Sequence, residues 1–212
     1  MTASMRGSMD LDGNVDKLQQ FYATWADDYD ADVASHAYDM PAMVRDTLNH
    51  AVADLGWGQP RSEVEVLDAG CGTGLVGDAL HRNGWTNLRG VDLSAEMTTK
   101  AQRRGIYQTL TAGVDLTQPL PAALQRSAHV VTVGGVFTVG HVPPEALSIM
   151  ATMVKPGGLL VASVRQAYLK TTNWHAVIDR LTKAGTLTQI VHRADQPYTM
   201  DSVADYWAWA VP

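Results

Sequence analysis

Val64-Glu65-Val66-Leu67-Asp68-Ala69-Gly70-Cys71-Gly72-Thr73-Gly74 is the stretch whose reading decides the fold. Its first half is an apolar, β-branched run of strand length, and its second half places three glycines at alternate positions. The next residues, 75–82, form a helical run. A strand that ends in a tight glycine turn and opens a helix is a nucleotide-cradling device, because the freed backbone N–H groups point at the ligand. Glycine supplies the positive φ such a turn needs, and its missing Cβ lets the backbone lie against a ligand. Asp68 falls at the end of the strand, where a carboxylate can face that ligand too.

Working outward, strands alternate with helices on the C-terminal side. Residues 87–92 read as a second strand ending in Asp92, which lies 18 positions after Gly74. That is close to the spacing of about 20 expected for an acid that holds a ribose hydroxyl. Ser94 caps a helix over 95–104, and 107–111 reads as a short third strand. Residues 129–133 read as a buried fourth strand, followed by a loop over 134–144 and a helix over 145–154. The turn Lys155-Pro156-Gly157-Gly158 leads into a fifth strand over 159–164, then a loop over 166–173. A helix over 173–183 and strands near 187–193 and 204–211 complete the count. The alternation predicts an α/β, Rossmann-like, mostly parallel seven-stranded sheet with helices on both faces, and ligands at the carboxyl ends of its strands.

On the N-terminal side, Leu18, Phe21, Tyr22, Trp25 and Tyr29 recur at spacings of three and four, predicting one amphipathic helix from residue 15. Its aromatics either pack on the core or, through their polar tips, close over a pocket. A second helix is predicted over 40–55, with Pro41 in its first turn and Gly56 at its end. Residues 1–14 read as a disordered lead or an expression remnant, 15–212 as one domain, and 15–58 as its N-terminal helical cap. Asp27, Asp28, Asp30 and Asp32 read as a solvated helix face, and Trp57 and Trp174 as packing residues.

Composition limits the functions open to this chain. With 212 residues, 46% of them hydrophobic and 18% charged, it can bury one substantial core. The net charge of −6 disfavours a phosphate-tracking nucleic-acid surface. No apolar run nears the ~20 residues that span a bilayer, and no signal-peptide core opens the chain. A single cysteine forbids an internal disulfide or a cysteine-cluster metal site and fits a reducing, cytoplasmic setting. The seven histidines show no metal-ligand spacing with carboxylates, so no metal is expected.

Leu67 to Gly74, with Gly90-Val91-Asp92-Leu93-Ser94 and Lys155-Pro156-Gly157-Gly158, resembles the class I S-adenosylmethionine-dependent methyltransferases over most of the chain. Further stretches resemble the Williams-Beuren-region methyltransferase-like subgroup: 22–32, Gly77-Asp78-Ala79-Leu80, the run 134–143 and Ser163-Val164-Arg165. The resemblance implies an antiparallel last strand over 206–211 and S-adenosylmethionine as cofactor. It implies Gly70, Cys71, Gly72, Gly74 and Leu75 against the methionine part, Asp68 near its amino group, and Asp92 on the ribose. Leu93 and Met97 would flank the adenine, Asp115 and Leu116 would meet its edge, Gly134 would lie beneath the cofactor and Phe137 would wall the pocket. Tyr22, Trp25 and Tyr29 would lie over the carboxylate and the methyl group.

For the acceptor side, His141 follows the fourth strand on the ligand face, so it is the first candidate for a general base; the alternative is a loop or helix cap. His36, Tyr38 and Arg165 are candidates to hold substrate. Cys71 has no histidine neighbour in sequence, which argues against a nucleophilic thiol. Three function classes follow: a methyltransferase acting on a small molecule, an S-adenosylmethionine-binding protein with a non-methylating reaction or regulatory role, and a nicotinamide-dependent oxidoreductase. The nicotinamide fingerprint needs a sixth-position glycine, where this chain has Leu75. Neither the acceptor's identity nor the oligomeric state is written in the sequence.

Overall fold

The computed structural model of the protein describes Gly7 and residues 11–212. Among these, helices α1 (Val15–Trp25), α2 (Tyr29–Ala34) and α3 (Met40–Asp54) precede strand β1 (Val66–Ala69). There follow α4 (Leu75–His81), β2 (Leu88–Asp92), α5 (Ala95–Gln102), β3 (Tyr107–Ala112), β4 (Ala128–Phe137) and α6 (Ala146–Ala151). The chain then runs through β5 (Val154–Arg165), α7 (Gln166–Thr171), α8 (Trp174–Lys183), β6 (Thr188–Thr199) and β7 (Ser202–Val211). The seven strands lie in the order β3-β2-β1-β4-β5-β7-β6. β7 runs antiparallel to both its neighbours, and the pairs from β3 through to β5 are parallel. The expected Rossmann-like sheet with an antiparallel last strand is the sheet observed.

Side-chain alternation divides the core in two. Leu67, Val131, Leu160, Trp207 and Trp209 face one side, where α6 and α8 cover them through Leu147, Met150, Trp174 and Val177. Val66, Val130, Val161, Tyr206 and Ala208 face the other, beneath Val44, Leu48 and Ala51 of α3 and Val76 and Leu80 of α4. Trp207 and Trp209, two positions apart in β7, stack at 5.9 Å and 7°. Both faces being covered explains why the central strands read as continuous apolar runs rather than alternating ones.

The structure differs from the sequence reading in several places. The single N-terminal helix is two, broken over residues 26–28, because the break folds Tyr29 edge-on against Trp25 at 4.7 Å and lets Trp25 Nε1 donate to Asp32 Oδ2 at 2.8 Å. The acids there are not simply solvated: Asp27 pairs with Lys100, and Asp30 pairs with Arg104 and accepts from Thr73. Of the expected lead, residues 1–6 and 8–10 lie outside the described residues, whereas Leu11 is buried and Gly13 N–H donates to Gly140 O at 2.9 Å. β4 continues past Val133 through Gly134 and Gly135 with a register shift, regaining β5 at the Phe137–Val164 pair. The expected loop over 166–173 contains α7, held by buried Tyr168, whose hydroxyl donates to Val142 O at 2.8 Å.

Candidate active site

A cleft of about 980 Å³, its open mouth included, lies at the carboxyl ends of β1, β2 and β4 beneath α1 and α2. The glycine turn forms its floor. Gly70 has φ +71°, and a Cβ there would fall 2.5 Å from Val136 Cγ2, so only glycine lets β1 and β4 approach this closely. Gly72 has φ +54° and only open space beside its Cα, so the turn presents bare backbone to the cleft.

Asp92 stands at the end of β2 as expected. Its Oδ2 accepts from Gly72 N at 2.7 Å and its Oδ1 from Ser94 N at 2.9 Å. Burial pushes its pKa up, and those backbone donors oppose the rise. Each oxygen keeps a further lone pair, a fixed fork that suits two neighbouring hydroxyls. Leu93, Met97, Asp115 and Leu116 line the same half of the cleft, with Asp115 turned by two bonds from Thr117 to its Oδ1. Cys71 and Leu75 also line it. Burial, with Asp92 and Asp68 close by, pushes the Cys71 thiol well above its ordinary pKa, the opposite of an activated nucleophile.

On the other side the cleft is walled by Tyr22, Tyr29, Tyr38, His141, Gly134 and Gly135, among apolar residues from α1, α3 and the end of β4. His141 Nδ1 lies 3.1 Å from Val139 O and its Nε2 2.6 Å from the Tyr22 hydroxyl. A carbonyl only accepts, so Nδ1 carries the ring proton and Nε2 accepts from Tyr22. Burial lowers the His141 pKa to about 4, so the ring is neutral. The expectation of a base at His141 therefore meets a ring with both nitrogens engaged.

Several sequence candidates are not in the cleft wall. Asp68 is fully buried behind the glycine turn, where it accepts from Tyr107 Oη at 2.7 Å and Thr132 Oγ1 at 3.0 Å; burial pushes its pKa up to about 6. Gly74, at φ +89°, backs onto Tyr107 and Arg104 instead of the cleft. Trp25 packs behind Tyr22 and Tyr29. Phe137 is buried in the core against Trp174, 4.6 Å between ring centroids, because the Gly134–Gly135 irregularity shifts the alternation and turns Val136 into the cleft. His36 faces its own helix end, bonding Ser35. Arg165 lies over the Tyr198 ring at 5.1 Å with Nη1 toward Thr138.

The sequence reading missed Tyr198, Thr73 and Arg104. Tyr198 meets Tyr38 across 160 residues because Asp39 N–H donates to Tyr198 O and Met200 N–H to His36 O, stitching 36–39 to the end of β6. No local pattern announces that pairing. Among the described residues no cluster of three or more histidine, cysteine or acidic side chains could hold a metal ion, and no helix is long and apolar enough to cross a membrane.

A sequence profile described as a methyltransferase domain matches residues 36–211. The chain is 35% identical over 196 residues to methyltransferase-like protein 27 of Homo sapiens, covering 89% of this chain and 76% of the relative. It is 26% identical over 151 residues to a ubiquinone biosynthesis O-methyltransferase of Xylella fastidiosa, covering 70% of this chain and 57% of that protein. Among solved structures, its fold is similar to magnesium protoporphyrin IX methyltransferase of Synechocystis with bound S-adenosylmethionine, at TM-score 0.59, 19% identity and coverage of 81% and 79%. It is also similar to geranyl diphosphate C-methyltransferase of Streptomyces coelicolor, at TM-score 0.56, 16% identity and coverage of 81% and 78%.

Proposed function

The chain belongs to the methyltransferase-domain family, and from that premise we propose that it moves a methyl group from S-adenosylmethionine to a small-molecule acceptor. One observation carries the reading: the Asp92 fork and glycine turn share a single cleft with Tyr22, Tyr38 and His141, so a nucleoside-bearing donor and a second molecule fit side by side. When bound, the cofactor supplies an electrophilic methyl group on a positively charged sulfur. The residues present fit it: Asp92 would hold the ribose hydroxyls, Leu93, Met97 and Leu116 the faces of the adenine, and Asp115 its amine. Gly72, with open space beside its Cα, leaves room for the methionine part against bare backbone.

Holding both reactants in line supplies much of the rate for such a displacement, up to several kcal/mol of barrier. Tyr22 and Tyr29 wall the space between the halves, and the aromatic packing of Trp25 behind them fixes their rings. His141 acts here by fixing the Tyr22 hydroxyl. A small-molecule acceptor accords with a cleft roofed by α1 and α2, and the solitary, buried thiol of Cys71 accords with a reducing, cytoplasmic setting.

Calorimetry with S-adenosylmethionine, S-adenosylhomocysteine and NAD tests the reading. Binding of the first two without NAD is the expected result, and NAD binding alone overturns it. A labelled-methyl screen of small-molecule extracts then identifies the product. Cofactor binding with no labelled product from any extract would move the protein to a non-methylating role.

A further inference from the structure

Resting on that reading, we propose that the acceptor presents a carboxylate to a cluster of tyrosine hydroxyls at Tyr29, Tyr38 and Tyr198, and that the protein methylates this already ionised oxygen. The cluster sits over Gly135. A Cβ on that residue would stand 3.3 Å from Tyr38 Oη and 3.4 Å from Tyr198 Oη, so the glycine leaves both hydroxyls room above its backbone; Tyr29 and Tyr38 line the cleft, and Tyr198 stands against Tyr38. Tyr38 and Tyr198 hydroxyls are 3.4 Å apart, and Tyr29 bonds Tyr38. Burial pushes all three phenols above their ordinary pKa, so each keeps its proton.

Counting protons gives the preference. Three hydroxyls carry three protons and make at most two links among themselves, which leaves at least one O–H to donate outward. Tyr22 does not reverse this, because its proton is given to His141 Nε2. Among the described residues, the acids lining the cleft are Asp92 and Asp115, both in the cofactor half; Asp92 and Asp30 add negative potential at Tyr29, which leaves Tyr38 and Tyr198 to meet the anion. The guanidinium of Arg165 lies over the outer face of Tyr198, which adds positive potential there.

The second argument is the missing base. His141 is neutral with both nitrogens engaged, and the phenols hold their protons. Among the described residues lining the acceptor half, no side chain is placed to take up a proton at neutral pH, so the attacking atom arrives without one. A carboxylate meets that condition near pH 7, whereas an ordinary alcohol, ammonium or phenol does not. In the transfer, an oxygen lone pair forms the O–CH3 bond while the S–CH3 bond breaks and its electron pair stays on sulfur. The carboxylate and the sulfonium become a neutral methyl ester and a neutral thioether, and no proton moves.

The test is calorimetry on the full chain saturated with S-adenosylhomocysteine. Matched pairs are titrated: benzoate against benzamide, phenylacetate against phenylacetamide, and octanoate against octanamide, with phenol as a further arm. At least one carboxylate is expected to bind about 10-fold or more tightly than its amide, as befits a charge-assisted hydrogen bond. Tyr38→Phe and Tyr198→Phe should each erase most of that preference while the affinity for S-adenosylhomocysteine stays within about twofold, which also reports the fold. Amides binding as well as their acids, phenol outcompeting every acid, no acid binding at all, or phenylalanine variants that keep the preference would each overturn the proposal. Failure of S-adenosylhomocysteine itself to bind sinks instead the methyltransferase reading on which it rests.

Discussion

Thr73, in the middle of the glycine turn, donates its hydroxyl to Asp30 Oδ1 at 2.5 Å, so the helical roof of the cleft is pinned to its floor. Asp30 also pairs with Arg104, whose Nε donates to Thr73 O. Three residues from the roof, the turn and the end of α5 thus form one closed loop of contacts. Asp30 is half exposed, so the ion pair alone contributes little, of the order of 1 kcal/mol or less; its effect is to hold the roof in place. Asp30→Ala is expected to weaken S-adenosylhomocysteine binding by about three- to tenfold and to speed proteolysis in 26–37. The same affinity in the variant, measured by calorimetry, would dismiss the pin.

Asp92→Asn keeps the size of the side chain and removes its charge and one acceptor. Charge-assisted hydrogen bonds contribute about 1.5 to 3 kcal/mol each, so cofactor affinity is expected to fall by about 10- to 100-fold. The circular dichroism spectrum should not change. Unchanged affinity in the folded variant removes Asp92 from the ribose site.

Two buried groups pull in opposite directions on acidification. His141 is lowered from 6.5 to about 4, so the unfolded chain takes its proton first and stability falls as pH drops from 6.5 toward 4. Asp68 is raised from 3.8 to about 6, so the folded protein takes the proton first; that contribution is full below about 3.8 and is lost as pH rises through 6. Over pH 4 to 6 the two largely cancel. Asp68→Asn removes the compensation, and between pH 7 and 4 the variant should lose about 2 to 3 kcal/mol more stability than the parent. Urea denaturation across that range checks this; parallel curves for the two proteins would refute it.

Trp174 is fully buried among Phe137, Tyr168, Trp207 and Trp209, yet among the described residues its indole N–H has no partner. Trp174→Ala leaves a large cavity and should cost about 3 to 5 kcal/mol. Trp174→Phe keeps most of the packing and removes a stranded donor, so its cost should stay below about 1.5 kcal/mol. Similar losses for both in thermal denaturation would show that the indole nitrogen matters in some other way.

The sheet could be read from the sequence because each central strand is buried on both faces and bounded by glycine, proline or a cap, as at Gly70, Ser94 and Gly157. Asp92 was legible from its spacing after the glycine turn, and Tyr22 from the helical recurrence of Leu18, Phe21, Trp25 and Tyr29 together with the family resemblance. What escaped depends on contacts across the chain. Phe137 was misplaced by one residue because an irregularity at Gly135 reverses inward and outward, and Asp68 has the right position for a ligand but is taken by Tyr107 from β3. Tyr198 has no local signature at all; only the stitching of 36–39 to the β6 end puts it beside Tyr38.

β7 follows β6 in the chain but lies between β6 and β5 in the sheet. β6 therefore reaches the sheet only through β7, with which it forms a hairpin that closes at Thr199 and Ser202. The strands that carry the Asp92 fork and the glycine turn, by contrast, pair with one another well upstream. Because Tyr198 rides on the end of β6, its contact with Tyr38 requires the last hairpin docked on β5, whereas the Asp92 fork requires only strands upstream of it.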